Sequence, residues 1–152
     1  MAKLKIVKLG DEILRQKCRR VEAVTPRILR LLDDMVETMR FANGCGLAGP
    51  QVGILRRVCV VEVDGKVYQM INPEIVYTEG EQCEAEGCLS VPSQWGTVKR
   101  PAFVRVKYYD RNGKECFAEG TDLLARAFCH EIDHLDGTLF IDKVVDMLEA
   151  DE

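Results

Sequence analysis

The sequence predicts an α+β fold: antiparallel sheets packed around a central helix that carries a His-Glu-x-x-His motif, with an amphipathic helix near the N-terminus. Three observations predict it. Ile28, Leu31, Leu32, Met35, Val36 and Met39 recur at spacings of three and four, the period of a helix with one apolar stripe. Further on, the pattern changes to β-rich runs punctuated by the turn signals Asp64-Gly65 and Asn112-Gly113. Leu123, Leu124, Ala127, Phe128 and Leu135 then restore the helical period around the motif. The order of helix, several strands and helix indicates α+β, not the alternation of a doubly wound sheet.

Asp11 is a plausible N-cap for a short helical turn through Ile13 and Leu14. Thr25 caps the first long helix, with Pro26 at its first position; the helix runs to about Ala42, where Asn43-Gly44 stops it. A glycine-dense segment, 44–53, follows. Strands are expected at 57–63 and 66–71, joined by the Asp64-Gly65 hairpin, and a separate strand at 74–78 after Asn72-Pro73. Residues 103–109 alternate, and Asn112-Gly113 turns them toward a strand at 115–119. A helix over 122–135 ends at Gly137. With no repeat, linker or low-complexity segment, residues 1–152 read as a single domain.

An apolar fraction of 47% and a charged fraction of 30% are those of a soluble globular protein. A net charge of -4 argues against the phosphate backbone as the main binding target, so no direct nucleic-acid specificity is expected. Lys3, Lys5, Lys8 and the run from Arg15 to Arg20 form a local basic stretch, which reads as a solvated face. No apolar segment is long enough to span a bilayer, and the basic start lacks the apolar stretch of an export signal. A cytoplasmic protein with no membrane partner is expected. The seven cysteines include no Cys-x-x-Cys pair, so most should be reduced core residues.

His130-Glu131-Ile132-Asp133-His134 holds the chemistry. Residues four apart share a helix face, so His130 and His134 can bind one metal ion, with Glu131 near enough to handle a proton of water there. They are the only two histidines, so a third ligand must be another residue type. Glu149 and Glu152 lie in an acidic tail with little to fix their geometry. Cys88, in Glu86-Gly87-Cys88-Leu89-Ser90, is the best candidate, because a thiolate binds zinc or ferrous iron well and Gly87 permits close approach. Cys83 is its nearest competitor. Glu86 and Arg100 read as structural ion-pair members, and Asp133 is left without a role.

Together, Gly44-Cys45-Gly46-Leu47-Ala48-Gly49-Pro50-Gln51, Glu86-Gly87-Cys88-Leu89-Ser90 and His130-Glu131-Ile132-Asp133-His134-Leu135 resemble, in order and approximate spacing, the three motifs of the peptide deformylase family. The resemblance covers nearly the whole chain. It implies hydrolytic removal of the formyl group from N-formylmethionine on newly made bacterial or organellar polypeptides, with release of formate. It implies Cys88, His130 and His134 as ligands of one divalent metal ion, ferrous iron being usual and zinc, nickel or cobalt able to replace it. Glu131 would move the proton, and the Gln51 amide and Leu89 N–H would be oxyanion donors. Backbone at Gly46 and Gly87 would pair with an extended peptide, and Cys45, Arg126 and Ala127 would wall a methionine pocket.

Four departures from the family pattern stand out. Gly49 replaces a usual alanine, which should loosen the loop. Cys129 replaces a common glutamine, and Trp95 stands where many members have a peptide-contacting arginine. The chain ends soon after Asp142, so weak or differently built ribosome contact is expected. Rival readings are a non-catalytic metal- or peptide-binding module, a cysteine hydrolase using Cys88 as nucleophile, and an ordinary peptidase.

Overall fold

The computed structural model describes residues 3–148. Two helices and eight strands build it: α1 (Pro26–Phe41), β1 (Gly46–Ala48), β2 (Val58–Val63), β3 (Lys66–Glu79), β4 (Gln82–Cys88), β5 (Val91–Arg100), β6 (Phe103–Tyr109), β7 (Glu115–Thr121), α2 (Asp122–Leu135) and β8 (Val144–Leu148). One sheet has the order β1-β2-β3-β6-β7 and the other β4-β5-β8, all antiparallel. The expected α+β architecture is present, with α2 among the sheets. Among the described residues no helix is long and apolar enough to cross a membrane.

Both helices form where the local signals place them. Thr25 Oγ1 accepts from the Ile28 N–H at 3.3 Å, and Pro26 opens α1. At its far end Asn43 turns left-handed (φ 58°). The Asp64-Gly65 hairpin holds, with φ of 53° and 78° as the right-handed twist of the ribbon requires. Asp11 caps a short 3-10 turn, Glu12–Arg15, by accepting from the Ile13 N–H.

β2 explains how the layers stack. Val58 and Val60 face α1, while Cys59 and Val61 face α2, so the strand is buried on both sides. This is why it reads as an unbroken apolar run instead of an alternating one. The three-stranded sheet packs separately, with Val91 and Val98 against Leu14, Leu139 and Phe140.

Three expectations need correction, and four strands have no counterpart among the expected elements. The strand expected at 74–78 is the continuation of β3, which runs through Asn72-Pro73 with a register shift. Asn72 (φ 51°) keeps it continuous: its side chain accepts from the Val21 N–H at 2.8 Å and donates to the Val21 carbonyl at 2.7 Å. Strands β1, β4, β5 and β8 carried no clear sequence signal. β4 exposes three consecutive residues, Cys83, Glu84 and Ala85, and β5 contains Pro92 and Gly96, so neither shows a clean alternation. Only Cys18, Cys59 and Cys129 of the seven cysteines are buried; all seven are unpaired thiols. Finally, Gly49 does not loosen its loop. A Cβ there would press on the Ile54 and Arg56 carbonyl oxygens at 2.6 and 2.7 Å, so the segment is tight.

Candidate metal centre and cleft

α2 buries an unusual set of side chains. His130, Glu131 and His134 are 8%, 4% and 0% exposed, on a helix whose other buried residues are apolar except Cys129. Such groups cost several kcal/mol of desolvation unless something partners them. Facing them is the end of β4, which brings in Cys88. One ligand atom each from Cys88, His130 and His134 lies within 4.8 Å of the others. Cys88 Sγ is 3.3 Å from His134 Nε2. A thiolate and two imidazoles converging on one point fit a divalent transition metal of borderline softness. The competitor Cys83 is exposed at the other end of β4 and is not part of this group.

The surroundings orient these groups. Glu86 Oε1 lies 3.0 Å from His130 Nδ1, which leaves Nε2 free to face the sulfur. Arg100 grips both oxygens of Glu86, at 2.9 and 3.0 Å, and reaches Asp133 at 2.6 Å. Lys143 joins Asp133 at 3.1 Å. Burial opposes ionisation of Glu86, but the hydrogen bonds from His130 and Arg100 win and hold its carboxyl down at about 2. The pair is therefore a fixed ion pair whose second task is to hold an imidazole. Asp133, left without a role by the sequence, belongs to the same network.

Glu131 is different. Burial pushes its carboxyl up to about 7, against the opposing effect of His130. Its Oε1 is buried without a hydrogen-bond partner. A carboxyl that titrates near neutrality beside a ligand cluster is suited to taking and giving a proton. Gly46 makes room for it: a Cβ at that position would collide with the Glu131 carboxylate. Gln51, 1% exposed, accepts from the Ala48 N–H at 3.0 Å. Its Nε2 donates to Ser90 Oγ at 3.1 Å and reaches Cys88 Sγ at 3.5 Å, so the amide N–H group sits beside the sulfur.

A cleft of about 340 Å³ opens over this cluster. Cys45, Gly46, Gln51, Gly87, Leu89 and Arg126, with Ala127 and Glu131 deeper on α2, all line it. The structure thus brings every expected site residue to one place, His134 lying buried behind the others. Its two rims are open strand edges: β1 ends one sheet and β4 ends the other. Six lining residues were not among the expected site residues: Asn43, Gly44, Ala85, Glu86, Trp95 and Leu123. The Trp95 ring packs on Gly87, where a Cβ would meet it at 2.8 Å. Cys129 turns away from the cleft into the core, and burial raises its thiol to about 11.

The family model for polypeptide deformylase matches residues 3–150. The chain belongs to the polypeptide deformylase family. Peptide deformylase of Thermoanaerobacter pseudethanolicus is 56% identical over 145 residues, covering 95% of this chain and 91% of that relative. The enzyme of Heliobacterium modesticaldum is 57% identical over 144 residues, covering 95% of each. Among solved structures, the deformylase of Legionella pneumophila superposes with a TM-score of 0.91 at 43% identity, covering 93% of this chain and 86% of that one. The deformylase of Synechococcus elongatus, solved in complex with actinonin, gives 0.91 at 40% identity, covering 94% and 79%. As a deformylase, this chain is a metal-dependent hydrolase that removes the N-formyl group from nascent polypeptides.

Proposed function

We propose that Cys88, His130 and His134 hold one divalent cation, and that the cleft above it deformylates formyl-methionyl nascent peptides. The observation that carries this is the convergence of one sulfur and two imidazoles within 4.8 Å, on the wall of a cleft that also holds Glu131. Bound there, the cation would supply Lewis acidity and lower the pKa of a water molecule. Ferrous iron is the metal proposed, with zinc, nickel or cobalt as substitutes that the same donors accept.

The chain's own residues do the rest. Glu131 takes a proton from the attacking water and delivers it to the departing amine, so that amide and water become formate and a free N-terminus. The Gln51 amide and the Leu89 N–H donate to the oxygen that gains charge as the formyl carbon becomes tetrahedral. The sheet-edge strands at Gly46 and Gly87 receive the peptide as an added strand. Cys45, Arg126 and Ala127 wall the methionine pocket, and Arg126 is anchored by donating to Gln82 at 2.8 Å. Residues 1–152 act as one catalytic domain in the cytoplasm of a bacterial-type cell, with weak ribosome contact and no base-specific reading of nucleic acid. The 3.3 Å approach of Cys88 to His134 would also suit a thiol–imidazole hydrolase. That reading leaves His130, aimed at the same point by Glu86, without a task.

The test is formate release from formyl-Met-Ala-Ser under anaerobic conditions, with ferrous iron or nickel restored and metal content measured on the same sample. Formate should appear from the formyl peptide, none from acetyl-Met-Ala-Ser, and bound metal should approach one per chain. Internal peptide cleavage, turnover insensitive to chelators, or no formate from fully loaded protein would each defeat the proposal.

A further inference from the structure

A second groove, of about 990 Å³, shares no lining residue with the cleft. It lies where the segment before α1, the first turns of α1 and the loop ahead of β2 meet. Arg19, Arg20, Arg27, Arg30 and Arg56 all line it, against the carboxylates Glu22 and Asp34. Sequence places these arginines in three separate stretches, and only folding brings them to one groove.

Their lack of partners sets them apart. Elsewhere Arg15, Arg40, Arg57, Arg100 and Arg111 each pair with a carboxylate, Arg126 donates to Gln82 and Arg105 lies over Phe117. Among the described residues, none of the five groove arginines has an ion pair or a side-chain hydrogen bond; Arg20 alone lies over a ring, 5.9 Å from the centre of Tyr109. Moreover, the backbone holds two of them together. Arg19 and Arg56 form a parallel bridge, with the Arg19 N–H donating to Leu55 at 3.0 Å and the Arg57 N–H donating to Arg19 at 3.0 Å. Like charges set side by side on paired strands destabilise the pairing. On a chain of net charge -4, five guanidinium groups outnumbering two carboxylates in one groove form a local positive field that calls for an anion.

We propose that this groove binds the phosphodiester backbone of a nucleic acid without reading its bases. Guanidinium groups match phosphate oxygens two at a time, and several spaced along a groove suit a repeating phosphate better than a single small anion. Other anionic surfaces fit less well. Ile54 is the one large apolar side chain exposed in the groove, too little for insertion into a lipid surface. The lining includes no aromatic residue, the usual anchor of a protein partner. The inference stands independently of the deformylase reading.

The test is fluorescence anisotropy of the full chain with labelled RNA and DNA duplexes of about 20 base pairs, at salt from about 50 to 200 mM. Both duplexes should bind, and affinity should fall with salt with a log–log slope of about -2 to -4, the signature of a few phosphate contacts. R19Q/R56Q and R27Q/R30Q should each weaken binding about tenfold or more at the lowest salt. Glu22→Gln should tighten it. R40Q/R105Q, which removes the same charge elsewhere, should change it less than twofold, about the scale of general screening. Circular dichroism and formate release should be unchanged in every variant, so a folding defect is told apart from a lost contact. No binding by the wild type at low salt would overturn the proposal. So would equal loss in R40Q/R105Q, or tighter binding to polyglutamate or to vesicles of anionic phospholipid than to either duplex.

Discussion

α1 and α2 pack against opposite faces of the same sheet, yet they bury different chemistry. α1 buries Ile28, Leu32, Met35, Val36 and Met39, and one polar residue, Thr38. That hydroxyl is satisfied: it donates to the Asp34 carbonyl at 2.7 Å and accepts from the Leu4 N–H at 2.8 Å. α2 buries two imidazoles and a carboxyl, and leaves Glu131 Oε1 and His134 Nδ1 without partners inside the protein. α1 also leaves one buried atom without a partner, Glu37 Oε2, but on a half-buried side chain at the edge of a stripe that is otherwise apolar. A helix that buries ionisable groups and keeps some unpaired is holding them for something that arrives from outside.

The sharpest way to break this contrast is Glu131→Ala. It should lower kcat for formate release by on the order of 10³-fold, within the range of general acid–base catalysis, while metal content by emission spectroscopy stays the same. Loss of metal alongside activity would make Glu131 structural; unchanged turnover would remove Glu131 from the proton transfer. On the other face, Leu32→Ala should cost about 2–5 kcal/mol in urea unfolding, since Leu32 is 0% exposed, yet leave kcat of the folded enzyme unchanged. A parallel fall in kcat would mean that α1 belongs to the site after all.

Glu86→Gln tests how α2 is held. The neutral amide keeps the shape but weakens the grip on His130 and on Arg100. Metal affinity measured by chelator competition should fall about 10- to 100-fold, with less effect on kcat of the loaded enzyme. No change in affinity would reduce the Glu86–Arg100 pair to scaffold. The smallest effect is expected at Thr25→Ala, which removes the cap of α1 and should cost about 1 kcal/mol in thermal or urea unfolding, with metal affinity untouched.

Much of the site could be read before folding was considered, because its parts are local. His130 and His134 share a helix face by their spacing alone, and Glu131 rides with them. The Glu86-to-Ser90 and Gly44-to-Gln51 segments were identifiable as pieces of a family pattern. Illegible were the partners of charged residues. Nothing near Arg100 in sequence says that it holds Glu86, 14 residues away, and Asp133, 33 residues away. Gly46 reads as a place for peptide backbone, and only the fold shows that its missing side chain also makes room for the Glu131 carboxylate. The strands of the smaller sheet are illegible for another reason: a half-exposed strand containing proline or glycine leaves no clean period.

By itself the sequence determined the two helices, the Asp64-Gly65 hairpin, the α+β class and the face on which two imidazoles stand. All of these follow from interactions a few residues long, where period, caps and turn residues act directly. Tertiary structure decided that Cys88 meets His134 across 46 residues, that two open strand edges frame one cleft, and that five arginines from three segments share a groove. Those outcomes depend on which surfaces pack together to leave water, and packing joins residues without regard to their distance along the chain.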